Sequence, residues 1–336
     1  MKEARFYNKA EDLSVNCYLC NHRCHIQEGK KGVCAVRQNM NGVLYTLVYG
    51  NPIAQHIDPI EKKPLFHYYP GSQSFSIATV GCNFRCLHCQ NSDISQSPRE
   101  SHILSHQIFP PEQIVQAAKK SRCQSISYTY TEPTIYFEYA FDCSVLAKKE
   151  GIGNVFVTNG YTTLEALQSI QPYLDAANID LKSFRDDFYR RVCGARLQPT
   201  LDSIRAYKKL GIWIELTTLI IPDHNDTEEE LRDIARFIRE LGVDTPWHVT
   251  AFYPTYKLQD QPRTPAAVLK KAREIGLSEG LRYVYTGNVP GDEGENTYCY
   301  QCGKILIKRI GFTIQKNEIH DSKCYACGAK IDGVWG

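Results

Sequence analysis

The sequence has no long hydrophobic run and no excess of one charge. None of its apolar stretches approaches the roughly 20 residues that a membrane span needs. The first residues, Met1–Arg5, are polar and do not form the apolar core of a signal peptide. The 39 basic and 37 acidic residues leave a net charge of +2. We therefore expect a cytoplasmic protein whose main partner is neither nucleic acid nor a membrane.

Cysteine, in contrast, is abundant. The chain has 14 cysteines, and all but Cys123, Cys143 and Cys193 fall into three tight clusters. Disulfide scaffolds are typical of short secreted chains, whereas this chain is long and carries no export signal. In a reducing compartment, clustered cysteines hold metal more often than they form disulfides. The clusters therefore predict metal sites.

The clusters divide the chain into three sections. Residues 1–74 surround the first cluster, residues 75–290 alternate strand-like and helix-like patterns, and residues 291–336 form a short module bounded by cysteine pairs. We predict an N-terminal cysteine-rich module, a central α/β domain and a C-terminal zinc-ribbon or rubredoxin-like module.

Buried strand patterns recur through the central section and are separated by helix patterns. The strand runs are Phe75–Val80, Ser125–Tyr130, Asn154–Thr158, Ala177–Leu181, Ile212–Ile220, His248–Tyr253 and Arg282–Tyr285. The clearest helix is expected to begin at Asp226, with Glu229 completing a capping box. This alternation predicts parallel strands joined by right-handed crossovers. About six such units predict a partial (β/α)6 TIM-like barrel, and a doubly wound sheet is the alternative.

Polar residues collect where either fold places its ligand site, at the carboxyl ends of the strands. A cysteine segment follows the first strand, and Thr131 and Glu132 follow the second. Asn159 follows the third strand, while Asp180 and Lys182 end the fourth and face the same side because they are two residues apart.

The cysteine segment after the first strand has the spacing C-x3-C-x2-C, formed by Cys82, Cys86 and Cys89. Three thiolates suit three irons of a [4Fe–4S] cluster and leave one iron open to an added ligand. The alternative is a zinc site completed by His88. That site is disfavoured because His88, directly beside Cys89, would have difficulty turning to the same ion.

This motif, placed after the first strand of a parallel α/β domain, resembles the signature of the radical S-adenosylmethionine (SAM) superfamily. Its surroundings resemble the pyruvate formate-lyase activating enzyme branch. Three further features resemble the radical SAM enzyme of the AmmeMemoRadiSam system. They are the N-terminal cysteines, the segment Tyr-Thr-Tyr-Thr-Glu-Pro-Thr at 128–134 and the C-terminal ribbon ending in Gly-Val-Trp at 333–335.

The resemblance implies reductive cleavage of SAM at the cluster to a 5′-deoxyadenosyl radical, which abstracts hydrogen from a substrate. Cys82, Cys86 and Cys89 would be the catalytic cluster ligands. Cofactor-binding roles are implied at the strand ends: Thr131 and Glu132 occupy the position of a Gly-Gly-Glu motif that contacts the methionine amino group, although both glycines are missing here. Asn159 lies where the family often binds the cofactor, and Asp180 and Lys182 resemble an Asp-x-Lys motif that reaches the methionine carboxylate.

The two outer clusters each supply four thiolates. The C-terminal one pairs two C-x2-C knuckles and predicts a zinc ribbon, with a rubredoxin-like iron site as the alternative; it comprises Cys299, Cys302, Cys324 and Cys327. The N-terminal one is less regular and comprises Cys17, Cys20, Cys24 and Cys34. Structural zinc is the first expectation for it, and an iron–sulfur cluster that passes electrons inward is the alternative. His22 and His25 are further candidate ligands.

The leading functional hypothesis is a radical SAM enzyme that acts on a protein or peptide and receives electrons from a flavodoxin- or ferredoxin-type donor. The resemblance suggests a glycyl radical enzyme as the target. Radical modification of a small molecule, a non-radical iron–sulfur electron-transfer protein and a zinc-binding adaptor remain as alternatives. The adaptor is disfavoured because all three cysteines of the central motif are present.

Overall fold

The computed structural model describes residues 1–100, 108–289 and 291–335. Six short N-terminal strands form two antiparallel sheets, with strand orders β1-β6-β5 and β2-β3-β4. These strands are β1 (Lys2–Glu3), β2 (Tyr7–Lys9), β3 (Val15–Cys17), β4 (His25–Ile26), β5 (Arg37–Met40) and β6 (Val43–Thr46).

An eight-stranded sheet forms the centre of the fold. Its strands are β7 (Ala54–Pro59), β8 (Gln73–Ala78), β9 (Ser125–Tyr128), β10 (Gly153–Thr158), β11 (Ala176–Asp180), β12 (Trp213–Ile220), β13 (Trp247–Ala251) and β14 (Val284–Gly287). Strands β8 to β14 are parallel and lie in sequential order. A doubly wound sheet reverses its strand order at a switch point, and this sheet does not. The sheet is therefore an open barrel, as predicted.

Nine α-helices lie within the described ranges, and the longer ones cross between successive parallel strands. They are α1 (Ser92–Ser95), α2 (Ser97–Glu100), α3 (Pro111–Lys120), α4 (Phe137–Lys149), α5 (Leu164–Ile170), α6 (Asp186–Phe188), α7 (Leu197–Lys209), α8 (Glu228–Leu241) and α9 (Ala266–Ser278). Their apolar faces, with Ile114, Ile204 and Ile234, pack in one core with strand residues such as Ile126 and Val249. None of the helices in these ranges has both the length and the apolar character needed to cross a membrane.

The start of α8 corrects the predicted capping box. The N-cap is Thr227, whose hydroxyl accepts a hydrogen bond from the Glu230 amide at 3.3 Å. Asp226 lies one residue outside the helix and accepts a bond from the Asp223 amide at 3.0 Å. The prediction was wrong by one residue because Thr227 and Glu230 have the same three-residue separation as Asp226 and Glu229.

Strand β7 was not predicted, although it pairs antiparallel with β8 along six residues. Its sequence is Ala-Gln-His-Ile-Asp-Pro, and His56 and Ile57 are exposed. An edge strand that is largely open to solvent lacks the apolar alternation by which a buried strand is found. This strand brings the following residues, including Lys62 and Lys63, to the rim of the barrel.

The C-terminal section forms a small three-stranded sheet and a hairpin. Its strands are β15 (Thr297–Tyr298), β16 (Ile305–Ile310), β17 (Thr313–Asn317), β18 (Ile319–His320) and β19 (Lys323–Cys324). Arg309 anchors this section, because its buried guanidinium donates to the Phe66 carbonyl at 3.0 Å and to the Thr297 hydroxyl at 2.7 Å.

Candidate active site

A cavity of about 500 Å³ lies inside the barrel and extends to the carboxyl ends of its strands. Every residue predicted for the central cluster or for cofactor binding lines this cavity: Cys82, Cys86, Cys89, Thr131, Glu132, Asn159, Asp180 and Lys182. The structure thus brings together side chains that are as far as 100 residues apart in the sequence.

The cysteine loop between β8 and α1 begins at a glycine that its backbone requires. Gly81 has φ +101°, and a Cβ atom at this position would lie 2.7 Å from Val36 Cγ1. The loop is then held from behind, because the Arg85 amide donates to the Cys193 carbonyl at 2.8 Å and the Leu87 amide donates to the Val192 carbonyl at 3.0 Å. These contacts hold the loop that carries the three cysteines.

The three thiols of this loop are buried or half-buried and have few partners. Burial raises the pKa of Cys82, and the neighbouring Cys193 thiol together with burial raises that of Cys86. Local donors are nevertheless present, since the Phe84 amide lies 3.3 Å from Cys82 Sγ and the Ser95 hydroxyl 3.2 Å from Cys89 Sγ. Bound cationic iron would favour the thiolate forms that burial disfavours.

The three sulfur atoms of this loop are not gathered as tightly as a single-ion site requires. In the described ranges, only the C-terminal quartet gathers its ligand atoms within 4.8 Å of one another. The trio Cys82, Cys86 and Cys89 forms no such group. In a cluster each thiolate binds a different iron, so a wider separation is required. The residues present therefore fit the [4Fe–4S] group, and the alternative zinc site with His88 is not formed.

Glu132 connects the ends of β9 and β10. Its Oε1 accepts bonds from the Thr134 amide at 3.0 Å and the Thr158 hydroxyl at 2.8 Å, and its Oε2 accepts one from the Asn159 amide at 2.8 Å. Burial raises the pKa of Glu132 despite these donors. With one donor on Oε2, the carboxylate keeps acceptor capacity for a further ligand. Thr131 uses its own hydroxyl to donate to the Thr79 carbonyl at 2.8 Å.

Asn159 joins the end of β10 to the cysteine loop. Its Nδ2 donates to Asn83 Oδ1 at 2.7 Å and lies 3.9 Å from Cys82 Sγ. Its Oδ1 accepts a bond from the Tyr161 amide at 3.1 Å. The side chain is therefore oriented by both of its polar atoms.

Asp180 and Lys182 meet at the end of β11, the neighbour of β10, with Lys182 Nζ 2.8 Å from Asp180 Oδ2. Burial alone would lower the pKa of Lys182, but the negative charge of Asp180 outweighs it and raises the pKa well above its ordinary value. The ammonium therefore stays charged and can donate to an anionic ligand group.

Several cavity residues were missed by the sequence analysis, namely Lys63, Tyr130, Asn288 and Phe312. Asn288 directly follows β14, so its position after a strand was a usable signal. Lys63 and Phe312 come from the outer sections, and their sequence neighbourhoods contain no indication that they reach the barrel. His88 is buried, and this burial lowers its pKa to about 3, so the imidazole is neutral.

The C-terminal quartet has the geometry of a single-metal site. Cys299 Sγ lies 3.6 Å from Cys327 Sγ, and Cys302 Sγ lies 3.7 Å from Cys324 Sγ. Four thiolates at about 2.3 Å from a tetrahedral zinc are roughly 3.8 Å apart. The predicted cysteines are thus assembled, and they can bind a metal ion.

The N-terminal quartet also comes together, although less tightly. Burial raises the pKa of Cys20, and the nearby thiols of Cys17, Cys34 and Cys24 add to that rise. The four sulfur atoms do not fall into a compact group of the kind formed by the C-terminal quartet.

Comparisons with known proteins agree with this arrangement. The family model of the Radical SAM superfamily matches residues 76–238. An uncharacterized protein of Methanocaldococcus jannaschii is 50% identical to the chain, over 99% of this chain and 100% of the relative. A pyruvate formate-lyase-activating enzyme of Clostridium pasteurianum is 22% identical over 48% of this chain and 67% of that enzyme. The crystal structure of Streptococcus suis SuiB bound to S-adenosylmethionine has a similar fold, with a TM-score of 0.51 and 13% identity over 68% of this chain and 53% of SuiB.

Proposed function

The chain belongs to the radical SAM superfamily and is related to activating enzymes of glycyl radical enzymes, and we propose that it abstracts hydrogen from a polypeptide substrate. Membership implies an enzyme with a [4Fe–4S] cluster and SAM as its cofactors. Together these groups supply, once reduced, the 5′-deoxyadenosyl radical that removes the hydrogen atom.

Cys82, Cys86 and Cys89 are the proposed ligands of this cluster. Two observations support this proposal: the three cysteines lie on a loop held by backbone hydrogen bonds, and they line the cavity. Three thiolates leave one iron of the cluster for the amino and carboxylate groups of SAM.

The strand ends are proposed to orient the methionine moiety of SAM. Glu132 Oε2 is suited to accept a bond from the ammonium, and the Lys182 ammonium is suited to donate to the carboxylate. Asp180 keeps Lys182 charged, and Asn159 holds the Cys82 end of the loop beside Glu132. Thr131 is proposed to present its backbone to SAM, because the hydrogen bond from its hydroxyl to the Thr79 carbonyl fixes the position of that backbone.

A second cavity carries the proposal of a polypeptide substrate. It also has a volume of about 500 Å³ and shares Gln90, Asn288 and Phe312 with the first cavity. Its rim is formed by the segment 253–255 after β13 and by the tip of the β16–β17 hairpin. Tyr253 and Phe312 are 40% and 49% exposed there. With the cluster and SAM in the first cavity, the adjoining one would leave room for a chain segment between exposed aromatic rings.

The C-terminal quartet is proposed to hold zinc. The tight spacing of its sulfur atoms supports a single ion, and the small sheet around it has little apolar core of its own. The ion would stabilise the module whose hairpin tip lines the second cavity.

The radical chemistry is tested by anaerobic reconstitution with iron and sulfide, reduction, and addition of SAM. We expect 5′-deoxyadenosine from the wild type and from Cys123→Ala, which alters a cysteine outside the cavity, and none from Cys86→Ala. A wild-type protein with an intact reduced cluster but no product would favour the electron-transfer alternative.

The substrate class is tested by adding size-fractionated extract of the source cells to the same assay. We expect the macromolecular fraction to stimulate 5′-deoxyadenosine formation and to lose this effect after protease treatment. Stimulation by the small-molecule fraction alone would instead support radical modification of a metabolite.

A further inference from the structure

We infer that Cys17, Cys20, Cys24 and Cys34 hold an iron–sulfur cluster rather than one zinc ion, and that this cluster relays electrons to the catalytic cysteine loop. The relay depends on the proposed function, whereas the identity of the metal centre does not. Three independent features of the structure carry the inference: sulfur spacing, a buried cation and two bridges between the cysteine segments.

The spacing of the sulfur atoms separates single-ion from cluster sites within this one chain. The C-terminal quartet has sulfur pairs at 3.6 and 3.7 Å, close to the roughly 3.8 Å expected around tetrahedral zinc. Neither the catalytic trio nor the N-terminal quartet forms a group within 4.8 Å in the residues that the structure describes. The N-terminal cysteine segment nonetheless folds back on itself, since the Cys17 amide donates to the Cys24 carbonyl at 2.9 Å. A polynuclear centre binds each thiolate to a different iron, so it does not need the tight gathering seen in the C-terminal quartet.

Arg37 supplies a buried positive charge beside these thiols. Its side chain is 2% exposed, and its Nη2 donates to Glu138 Oε1 at 3.1 Å. Its Nε and Nη1 have no hydrogen-bond partner in the described part of the chain. Buried N–H groups without acceptors are costly, and this guanidinium lies within electrostatic reach of Cys17 and Cys34. The sulfur atoms of an anionic metal centre would provide the missing acceptors.

The first bridge between the two cysteine segments is His22, which lies between Cys20 and Cys24 in the sequence. Its Nε2 donates to the carbonyl of Asn83, the residue after Cys82, at 2.8 Å. The His22 ring also lies 4.9 Å from the Tyr161 ring and 6.5 Å from the Phe84 ring, measured between centroids. One side chain therefore spans from the N-terminal quartet to the catalytic loop.

The second bridge is Arg99, which binds carbonyl groups of both segments. Its Nη2 donates to the carbonyl of Val33, which precedes Cys34, at 2.6 Å, and also to the Cys82 carbonyl. Each bridge connects a residue within two positions of an N-terminal cysteine with Cys82 or the residue next to it. Such short bonded connections are suited to one-electron transfer between two iron–sulfur centres.

The electron balance of the relay is simple. A flavodoxin- or ferredoxin-type donor gives one electron to the N-terminal cluster and is oxidised by one electron. The N-terminal cluster passes the same electron to the catalytic cluster and returns to its oxidised state.

The metal centre is tested in the full chain with the catalytic trio removed. We expect the triple variant Cys82→Ser/Cys86→Ser/Cys89→Ser to keep about four irons and about four sulfides, against about eight of each in the wild type. Its reduced form should give the electron paramagnetic resonance signal of an iron–sulfur cluster. Adding Cys17→Ser and Cys24→Ser should remove the iron and sulfide and leave the zinc of the C-terminal site. A folded triple variant that contains two zinc ions and no sulfide would overturn the inference.

The relay is tested by the rate at which a flavodoxin-type donor reduces the catalytic cluster. We expect His22→Phe to slow this reduction several-fold, while His320→Phe, which changes an exposed histidine of the C-terminal hairpin, has no effect. Each variant is also reduced chemically, without the donor, and its 5′-deoxyadenosine is measured. A variant that forms no product even then has lost the radical chemistry itself, and not the electron route. An unchanged reduction rate in His22→Phe, with the N-terminal cluster intact, would exclude this route.

Discussion

The cysteines of this chain fall into metal-binding candidates and packed core residues, and the side chains around each cysteine decide which of these it is. The C-terminal thiols are gathered for one ion, whereas Cys82, Cys86 and Cys89 are spread along the wall of a cavity. Cys123 and Cys143 are simply buried in the apolar core. Sequence spacing found all the clusters, but only the distances between sulfur atoms separate the kinds of site.

Most of the candidate site was predictable from residues at strand ends, because parallel strands bring their carboxyl ends together whatever their separation in sequence. Arg37, Arg99 and Phe312 were not predictable. Each acts through a contact between sections that are distant in sequence, and neither periodicity nor a motif marks such a residue. Glu132 was found, but its bonds to Thr158 and Asn159 depend on β9 and β10 being neighbours.

Lys182 allows a direct test of cofactor orientation. We expect Lys182→Gln to weaken SAM binding roughly 10- to 100-fold, since a hydrogen bond to a charged group contributes about 1.5–3 kcal/mol. The change should be visible as a higher SAM concentration needed to alter the electron paramagnetic resonance spectrum of the reduced cluster.

The matched control for this test is Lys62→Gln. Lys62 also lines the cavity but is 44% exposed at its side chain and pairs with Asp58 at 2.8 Å. Equal losses of SAM binding in the two variants would show that general positive charge, rather than the position of Lys182, is responsible.

At the scale of elements, each of the seven predicted strand runs overlaps one of β8 to β14, because buried parallel strands have continuous apolar sequences. The last run, Arg282–Tyr285, shares only two residues with β14. Their sequential order was not predictable from those runs and emerges only from pairing. Helix ends were less well predicted. Several Ser, Thr, Asp and Asn residues often precede a helix, and the backbone conformation decides which of them becomes the cap.

The start of α8 gives a stability test of this correction. We expect Thr227→Ala to lower the free energy of unfolding by about 1 kcal/mol, because the Glu230 amide loses its side-chain acceptor. Thr227→Ser keeps a hydroxyl and should retain most of that stability. Thermal unfolding of the metal-loaded protein under anaerobic conditions measures the difference. A larger loss in Asp226→Ala than in Thr227→Ala would restore the originally predicted cap.

At the scale of the whole molecule, the outer sections are held against the barrel by buried polar contacts as well as by apolar packing. Glu215 in β12 accepts bonds from the Phe66 amide at 3.0 Å, the His67 amide at 2.8 Å and His248 Nε2 at 2.7 Å. His67 then reaches the C-terminal section by donating from Nδ1 to the Asp332 carbonyl at 2.6 Å. Segments from all three predicted sections therefore meet at one imidazole, while the division into modules stays a prediction.

His67 consequently couples the stability of the whole assembly to pH. Its Nδ1 is a donor and its Nε2 accepts from the Tyr285 hydroxyl at 2.5 Å, so the ring is neutral in the folded protein. Burial lowers the pKa of His67 from 6.5 to about 4. Between these two values the unfolded chain binds a proton that the folded one does not. Stability is therefore lost as the pH falls from 6.5 towards 4, by about 3 kcal/mol in total.

The pH effect of His67 is isolated by comparison with His67→Asn, which keeps an N–H donor near Asp332 but does not titrate. Over this window we expect the unfolding free energy of the wild type to fall more steeply than that of the variant, by up to about 1.4 kcal/mol per pH unit. His320→Asn, which changes an exposed histidine, should follow the wild type. Parallel profiles for wild type and His67→Asn would mean that the imidazole is protonated in the folded state, and that the three sections tolerate a charge where they meet.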